Sequence, residues 1–303
     1  MTVPVAHQKA DIQTGTEVPI GSVKVRGYWS NVFNRLRYDP VTVVCGLILL
    51  LIVLAAIFAP ILAPSDPYSI SVLKRLKPIG SEGYILGSDK LGRDILSRLL
   101  YGGRLSLFMG ITPVVAALLI GGFLGITAGF VGGHLNMAIM RTMDVFYAFP
   151  SILLAIAIAG ALGAGVVNGL ISLTVVFIPQ ITRVSESVTT QIRSFDFVEA
   201  ARASGAADIT IIRVHVLSNV LGPIFIFATT LVSVSIVIAS GLSFLGIGVT
   251  PPEPEWGMML STLRETMYVN PWVSVLPGLM IFTTSVCFNL LSDGLRSAMD
   301  VRM

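Results

Sequence analysis

Residues 199–218 read EAARASGAADITIIRVHVLS, the longest strongly polar, helix-compatible stretch in an otherwise apolar chain. They place Glu199, Arg202, Asp208, Arg213 and His215 between two long hydrophobic blocks. Ionisable groups are costly at the centre of a bilayer, so such a stretch belongs in water or at the interface. The blocks that flank it then read as membrane spans.

The whole chain agrees. Of 303 residues, 54% are hydrophobic and 12% charged, with mean hydropathy +0.83. Soluble domains carry about 25% charged residues. The composition is that of an all-α membrane protein. The net charge of +3 is small. No basic stripe with interleaved aromatics exists, which sets nucleic-acid binding aside. Cys45 and Cys287 fall inside apolar blocks with no CxxC or Cys/His ligand spacing. They read as small buried side chains, not as a metal site or a disulfide.

A spanning helix needs about 20 apolar residues. Six blocks qualify: 41–62, 105–131, 138–162, 166–181, 219–247 and 272–291. Only residues 163–165, with Gly163 and Gly165, separate the third from the fourth. None has Asp, Glu, Lys or Arg near its middle, although Arg141 and Asp144 stand at the start of the third. Proton-driven secondary transporters use intramembrane carboxylates or histidines, and this chain offers no obvious relay. No GxSxG or HExxH is present, which argues against an intramembrane enzyme, so no catalytic residue is expected. His134 and His215 have no ligand partner at helical spacing, and no metal site is expected. Asn168, Gln180 and Asn289 suit either a wet pathway or hydrogen bonds between helices.

Basic residues in short loops mark the cytoplasmic side. Residues 1–40 carry Lys9, Lys24, Arg26, Arg35 and Arg37. Residues 1–30 read as unstructured, and 28–38, mixing aromatics with arginines, as an interfacial helix. The block 41–62 is longer than the ~7–15-residue apolar core of a cleaved signal, so it reads as an extra N-terminal transmembrane helix. Arg183, Arg193, Arg202 and Arg213 form a second basic segment, and Arg296 and Arg302 a third. Six spans put all three on one side, with both termini cytoplasmic. The loop 63–104 is then extracytoplasmic, against its own seven basic residues (Lys74, Arg75, Lys77, Lys90, Arg93, Arg98, Arg104). Residues 105–303 form a five-helix core.

Gly121, Gly125, Gly129 and Gly133 recur every four residues and share one helix face, the pattern of a close helix–helix seam. Residues 245–260 carry Pro251, Pro252 and Pro254, which stop a helix after Val249. They form a plain connector or a re-entrant cap. Trp256, Tyr268 and Trp272 suit an interface.

Within the central stretch, Asp196 is placed to cap a helix over 197–204, with Glu199 bonding back in a capping box. Gly205 is placed to end that helix in the left-handed conformation. Asp208 is placed to cap a second helix with Ile209, Ile212 and Val216 on one face. Ala200, Ala201 and Ala203 leave a low-relief surface, suited to the groove of another protein. A hairpin that merely joins two spans is the simpler alternative.

Glu199-Ala200-Ala201, with Gly205 four residues on and Val216-Leu217 beyond, resembles the EAA signature of ABC importer permeases. Ser218 stands where that pattern has Pro, and Val216 where Ile is common. LGSDKLGRD at 86–94, with Ser97-Arg98 and Tyr101-Gly102, is similar to the segment before the second span in dipeptide/oligopeptide/nickel permeases. SFLGIGV at 243–249, with Pro251-Pro252 and Trp256-Gly257, is similar to their outer loop, and Asp144 with Phe149-Pro150 also fits. The likeness covers most of 35–300 and points to the C-type subunit.

The resemblance implies a type I ABC importer permease fold in a bacterial inner membrane, with 197–218 as the coupling segment. It implies a homologous permease partner, two ATPase subunits that carry ATP and Mg, and an extracytoplasmic substrate-binding protein. Phe197, Glu199, Ala200, Ala201, Ser204 and Gly205 would form the docking site for the ATPase. The cargo would be di- or oligopeptides, or nickel or another small solute. No GxxxxGK[ST] exists here, so no cofactor is expected on this chain.

Overall fold

The computed structural model describes residues 35–299. The expectations for 1–30, for most of 28–38 and for Arg302 lie outside them. The described residues are almost wholly helical: α1 Pro40–Ile57, α2 Ala59–Leu62, α3 Ile95–Val131, α4 Gly133–Tyr147, α5 Ser151–Leu162, α6 Val166–Arg193, α7 Asp196–Ala203, α8 Asp208–Ile211, α9 Leu217–Phe244, α10 Trp256–Leu263 and α11 Pro271–Met299. Among them, five helices are long and apolar enough to cross a membrane, or six spans if the bent pair α4–α5 counts as one.

The observed limits depart from apolar counting for local reasons. α1 starts at Pro40, where a proline costs no hydrogen bond, and the Asp39 carboxylate accepts the Val41 N–H at 3.2 Å. It stops at Phe58, where Arg104 donates to the carbonyls of Ala56 and Ile57 at 2.6 and 2.7 Å. α3 begins ten residues before the expected 105, because Asp94 caps it and accepts from the Ser97 N–H at 2.7 Å. At 37 residues, α3 is about 55 Å long. It therefore projects well beyond a hydrocarbon layer of about 30 Å.

The third expected span is not one helix. α4 and α5 meet at 85°, with three residues between them. Pro150 has no N–H and pushes Phe149 out of helical geometry. α6 runs twelve residues past the expected Ile181, because its polar end still buries Thr182, Ser185 and Thr189 against α3.

The α3–α6 pair is the most extensive helix contact. A Cβ on Gly121 would stand 2.8 Å from the Ile178 carbonyl oxygen, and one on Gly129 2.7 Å from that of Glu186. One on Gly125 would overlap the Thr182 carbonyl oxygen. Gly133 departs from the expected set: it begins α4, with open space around it. Its φ of +57° follows another positive-φ glycine, Gly132, and the two turn the chain from α3 into α4. The main core lies where α3, α6 and α9 meet, around Met109, Leu173, Phe177, Ile181, Ile224 and Ile236. α1 lies outside it, with Cys45 and Leu49 against Cys287 of α11 and Thr42 against Gly294.

The end of the helix bundle opposite α7 is built, not loose. α10 packs between α3, α9 and α11. Trp256 is buried against Ile95 and Leu99 and donates from Nε1 to the Leu99 carbonyl at 3.0 Å. It is a core residue and not an interfacial one, whereas Tyr268 and Trp272 are exposed. Four of the seven loop basic residues are engaged. Arg93 pairs with Asp89 at 2.6 Å, Arg98 lies beside the same carboxylate, Lys90 pairs with Glu265 at 2.8 Å, and Arg104 holds α1.

Candidate functional site

α7 spans Asp196–Ala203, and its cap is Phe195, in extended geometry and with no side-chain cap bond. The capping box expected from Asp196 and Glu199 is therefore absent. Asp196 is the first helical residue and Glu199 the fourth, too far along to bond back. Both still favour this end of the helix through its dipole. Likewise Asp208 does not cap: Ala207 holds that position, and Asp208 opens α8.

The C-terminus forms as the glycine implies. Gly205 has φ +79°, its N–H donates to the Arg202 carbonyl at 3.0 Å, and the Ala206 N–H donates to Ala201 at 3.1 Å. That pair of bonds is a Schellman motif. A Cβ at Gly205 would meet nothing within 4 Å, so the position requires glycine for its backbone angle and not for space.

α7 has two unlike faces. Val198 is 1% exposed and packs into the main core, and Ala201 and Ala206 pack beside it. Arg202 lies 5.8 Å over the Phe130 ring at the end of α3. Phe197 (41% exposed), Glu199, Ala200, Ser204 and Gly205 face away from the protein. Ala201 thus belongs to the anchoring face, apart from the other residues expected at the surface. Phe197 also sits 5.8 Å from the Phe195 ring and 6.0 Å from His215, a surface aromatic cluster that helical spacing within one element did not disclose.

The second half of the segment is not a plain α-helix. Residues Ile212–Val216 form a π-turn that joins α8 to α9. One extra residue per turn moves the buried stripe to Ile211, Val216 and Val220. Ile209, expected to share one face with Ile212 and Val216, is 71% exposed while Val216 is buried. At Ser218 the helix runs on without a break, and the Ser218 hydroxyl donates to the Val214 carbonyl at 2.9 Å.

A second polar cluster lies at the α4–α5 break. Arg183 of α6 pairs with Asp144 of α4 and lies 4.7 Å over the Tyr147 ring. Arg141 stands 3.7 Å from the same carboxylate. Gln180 donates to the Ser151 hydroxyl at 3.3 Å. The residues were visible in the sequence, but their meeting depends on the bend. Asn168, by contrast, donates to the Leu162 and Gly163 carbonyls and closes the turn before α6.

Residues 121–303 match the family described as the binding-protein-dependent transport system inner membrane component. Residues 27–78 match the N-terminal TM domain of oligopeptide transport permease C. The chain is 39% identical over 297 residues to a glutathione transport system permease protein of Pectobacterium atrosepticum, covering 98% of this chain and 99% of that one. It is 42% identical over 262 residues to a di/tripeptide transport system permease protein of Pseudomonas aeruginosa, covering 85% and 86%. Its fold is similar to a chain of the inward-facing MetNI methionine ABC transporter, with TM-score 0.54 and 19% identity over 66% of this chain and 96% of that one. With a family match over more than half its length and relatives aligned nearly end to end, the chain belongs to the inner-membrane components of binding-protein-dependent transport systems.

Proposed function

We propose that the chain is one of two permease subunits of an importer of short peptides, and that α7 transmits ATPase motion to its spans. The observation that carries this is the two-faced α7. Val198 and Ala201 hold it to the core, while Phe197, Glu199, Ala200 and Ser204 stand clear with small side chains between them. A helix that is anchored on one side and bare on the other suits the groove of another protein. ATP and Mg would be bound by two separate ATPase subunits. A homologous permease would complete the pathway, and an extracytoplasmic binding protein would deliver the cargo. Both termini and α7 would lie in the cytoplasm. The relatives named for glutathione and for di/tripeptides support cargo of two or three residues.

The test is co-purification with the genetically neighbouring subunits, with ATP-driven peptide uptake in proteoliposomes. Glu199→Arg and Ala200→Trp should keep the permease pair together and lose the ATPases. Losing a buried interface contact of this kind weakens binding by about tenfold or more. Normal ATPase retention and uptake in both variants would overturn the docking role.

A further inference from the structure

We infer that residues 212–223 are the hinge between α7 and the span α9, with Ser218 and Asn219 as positioning residues that brace it and Pro223 keeping it open. The inference rests on the reading of α7 as the coupling element and adds to it the joint through which α9 follows.

The backbone comes first. The Leu217 N–H donates to the Ile212 carbonyl, five residues back instead of four. A π-turn of this kind is rare, and it is found mostly at functional sites. Further on, Pro223 lies inside α9 and offers no N–H to the Asn219 carbonyl. The helix is continuous in outline here, but its bonding is interrupted at both ends of 212–223. π-turns and prolines are each a recognised cause of helix bending. Two side chains then brace the turn. Ser218 donates to the Val214 carbonyl at 2.9 Å and Asn219 to the His215 carbonyl at 2.6 Å. Consecutive side chains bonding back into the turn limit how far it opens. One side of the segment is packed, through Ile211, Val216 and Val220, and the other carries Val214, Ser218, Asn219 and Pro223. A helix bends about its packed side as the carbonyls of the other side tilt outward.

The flanks confine the bend. α7 follows α6, which is seamed to α3 through Gly121, Gly125 and Gly129. Val198 holds α7 in the main core, and Arg202 ties it to Phe130 at the end of α3. α7 therefore moves with α3 and α6. Beyond the segment, α9 is clasped to α11. The Ser292 hydroxyl donates to the Ile226 carbonyl at 2.9 Å and lies 2.6 Å from the Thr230 hydroxyl. A change of angle between the two anchored parts falls on the stretch between them, where helical bonding is weakest. Hinges of this kind are a few element-terminal residues that absorb the backbone rotation.

The experiment uses the assembled importer in proteoliposomes. It reads the ratio of ATP hydrolysis with and without the binding protein, together with ATPase retention and amide hydrogen exchange over 212–222. Ser218→Ala with Asn219→Leu removes both side-chain bonds. This variant should keep the ATPases bound and speed exchange in the segment. It should cut the ratio at least about fivefold, the loss expected for two hydrogen bonds. Ser218→Thr, which keeps the hydroxyl, should leave the ratio unchanged. Pro223→Ala acts in the opposite sense. Alanine restores the missing N–H and is the far better helix former, so exchange should slow and the melting temperature rise, yet the ratio should again fall. A purely structural role predicts that this more stable variant works at least as well as the original. The inference is overturned if the double variant sheds the ATPases or keeps the full ratio, if Ser218→Thr fails as the double variant does, or if Pro223→Ala keeps the full ratio. Absence of any stimulation in the unaltered importer would instead sink the coupling reading of α7.

Discussion

Two residues carry predictions that their surroundings make specific. Gly205 is left-handed with free space around it, so substitution acts through the backbone alone. Gly205→Ala should cost about 1–2 kcal/mol at the end of α7. Gly205→Asn should cost less, since Asn tolerates that region. Binding-protein-stimulated ATPase activity should follow the order Gly, Asn, Ala, and an equal effect of Asn and Ala would point to sterics. Glu255 is buried outside the spans, where burial pushes its carboxyl above the usual range against two backbone N–H donors and the Ser106 hydroxyl. A carboxyl raised in the folded state binds its proton more tightly there than in the unfolded chain. Its stabilising contribution is full below the ordinary carboxylate pKa and is lost as pH rises through the folded value. Thermal stability in detergent should decline over that rise, and Glu255→Gln should flatten the decline. Glycine at 205 was legible because its signal is local. Glu255 was not, because burial comes from α3 and α9, far away in sequence.

At the scale of elements, the glycine spacing of α3 was legible and its limit was not. Gly121, Gly125 and Gly129 meet α6 carbonyls, while Gly133 repeats the spacing after the helix has ended at Gly132. Periodicity alone carries no end signal. Gly125→Leu should separate α3 from α6 and destabilise the fold by about 1–3 kcal/mol or more, whereas Gly133→Ala, strained only by its φ of +57°, should cost about 1–2 kcal/mol. Melting in detergent, followed by size-exclusion, distinguishes them. If Gly133→Ala is the worse of the two, the seam does not govern. The π-turn explains the other misreading. A face counted at 3.6 residues per turn selects Ile209, Ile212 and Val216. The extra residue selects Ile211 and Val216 instead. Capping failed similarly, because backbone geometry put the cap one residue before each Asp.

At the scale of the molecule, the five long spanning helices were legible from hydropathy, but the shape of the third block was hidden, since α4 and α5 together are apolar enough to read as one span. The loop 63–104 was expected outside against its own basic residues, and Asp89, Glu265 and the α1 carbonyls supply partners for four of them. Sidedness then rests on an argument that can be tested whole. With the bent pair as one crossing, residues 40–299 cross six times, which sets Pro40, α7 and Met299 on one side and the loop carrying Leu73 on the other. Leu73 is 95% exposed and Ser204 is exposed at the end of α7, so cysteines there should be reachable without disturbing the fold. With Cys45 and Cys287 changed to Ala, Leu73→Cys should react with an impermeant maleimide in right-side-out vesicles and Ser204→Cys only in inside-out ones. Same-side labelling would require an even number of crossings between them. The bent pair would then return to the side it came from, as a re-entrant loop does.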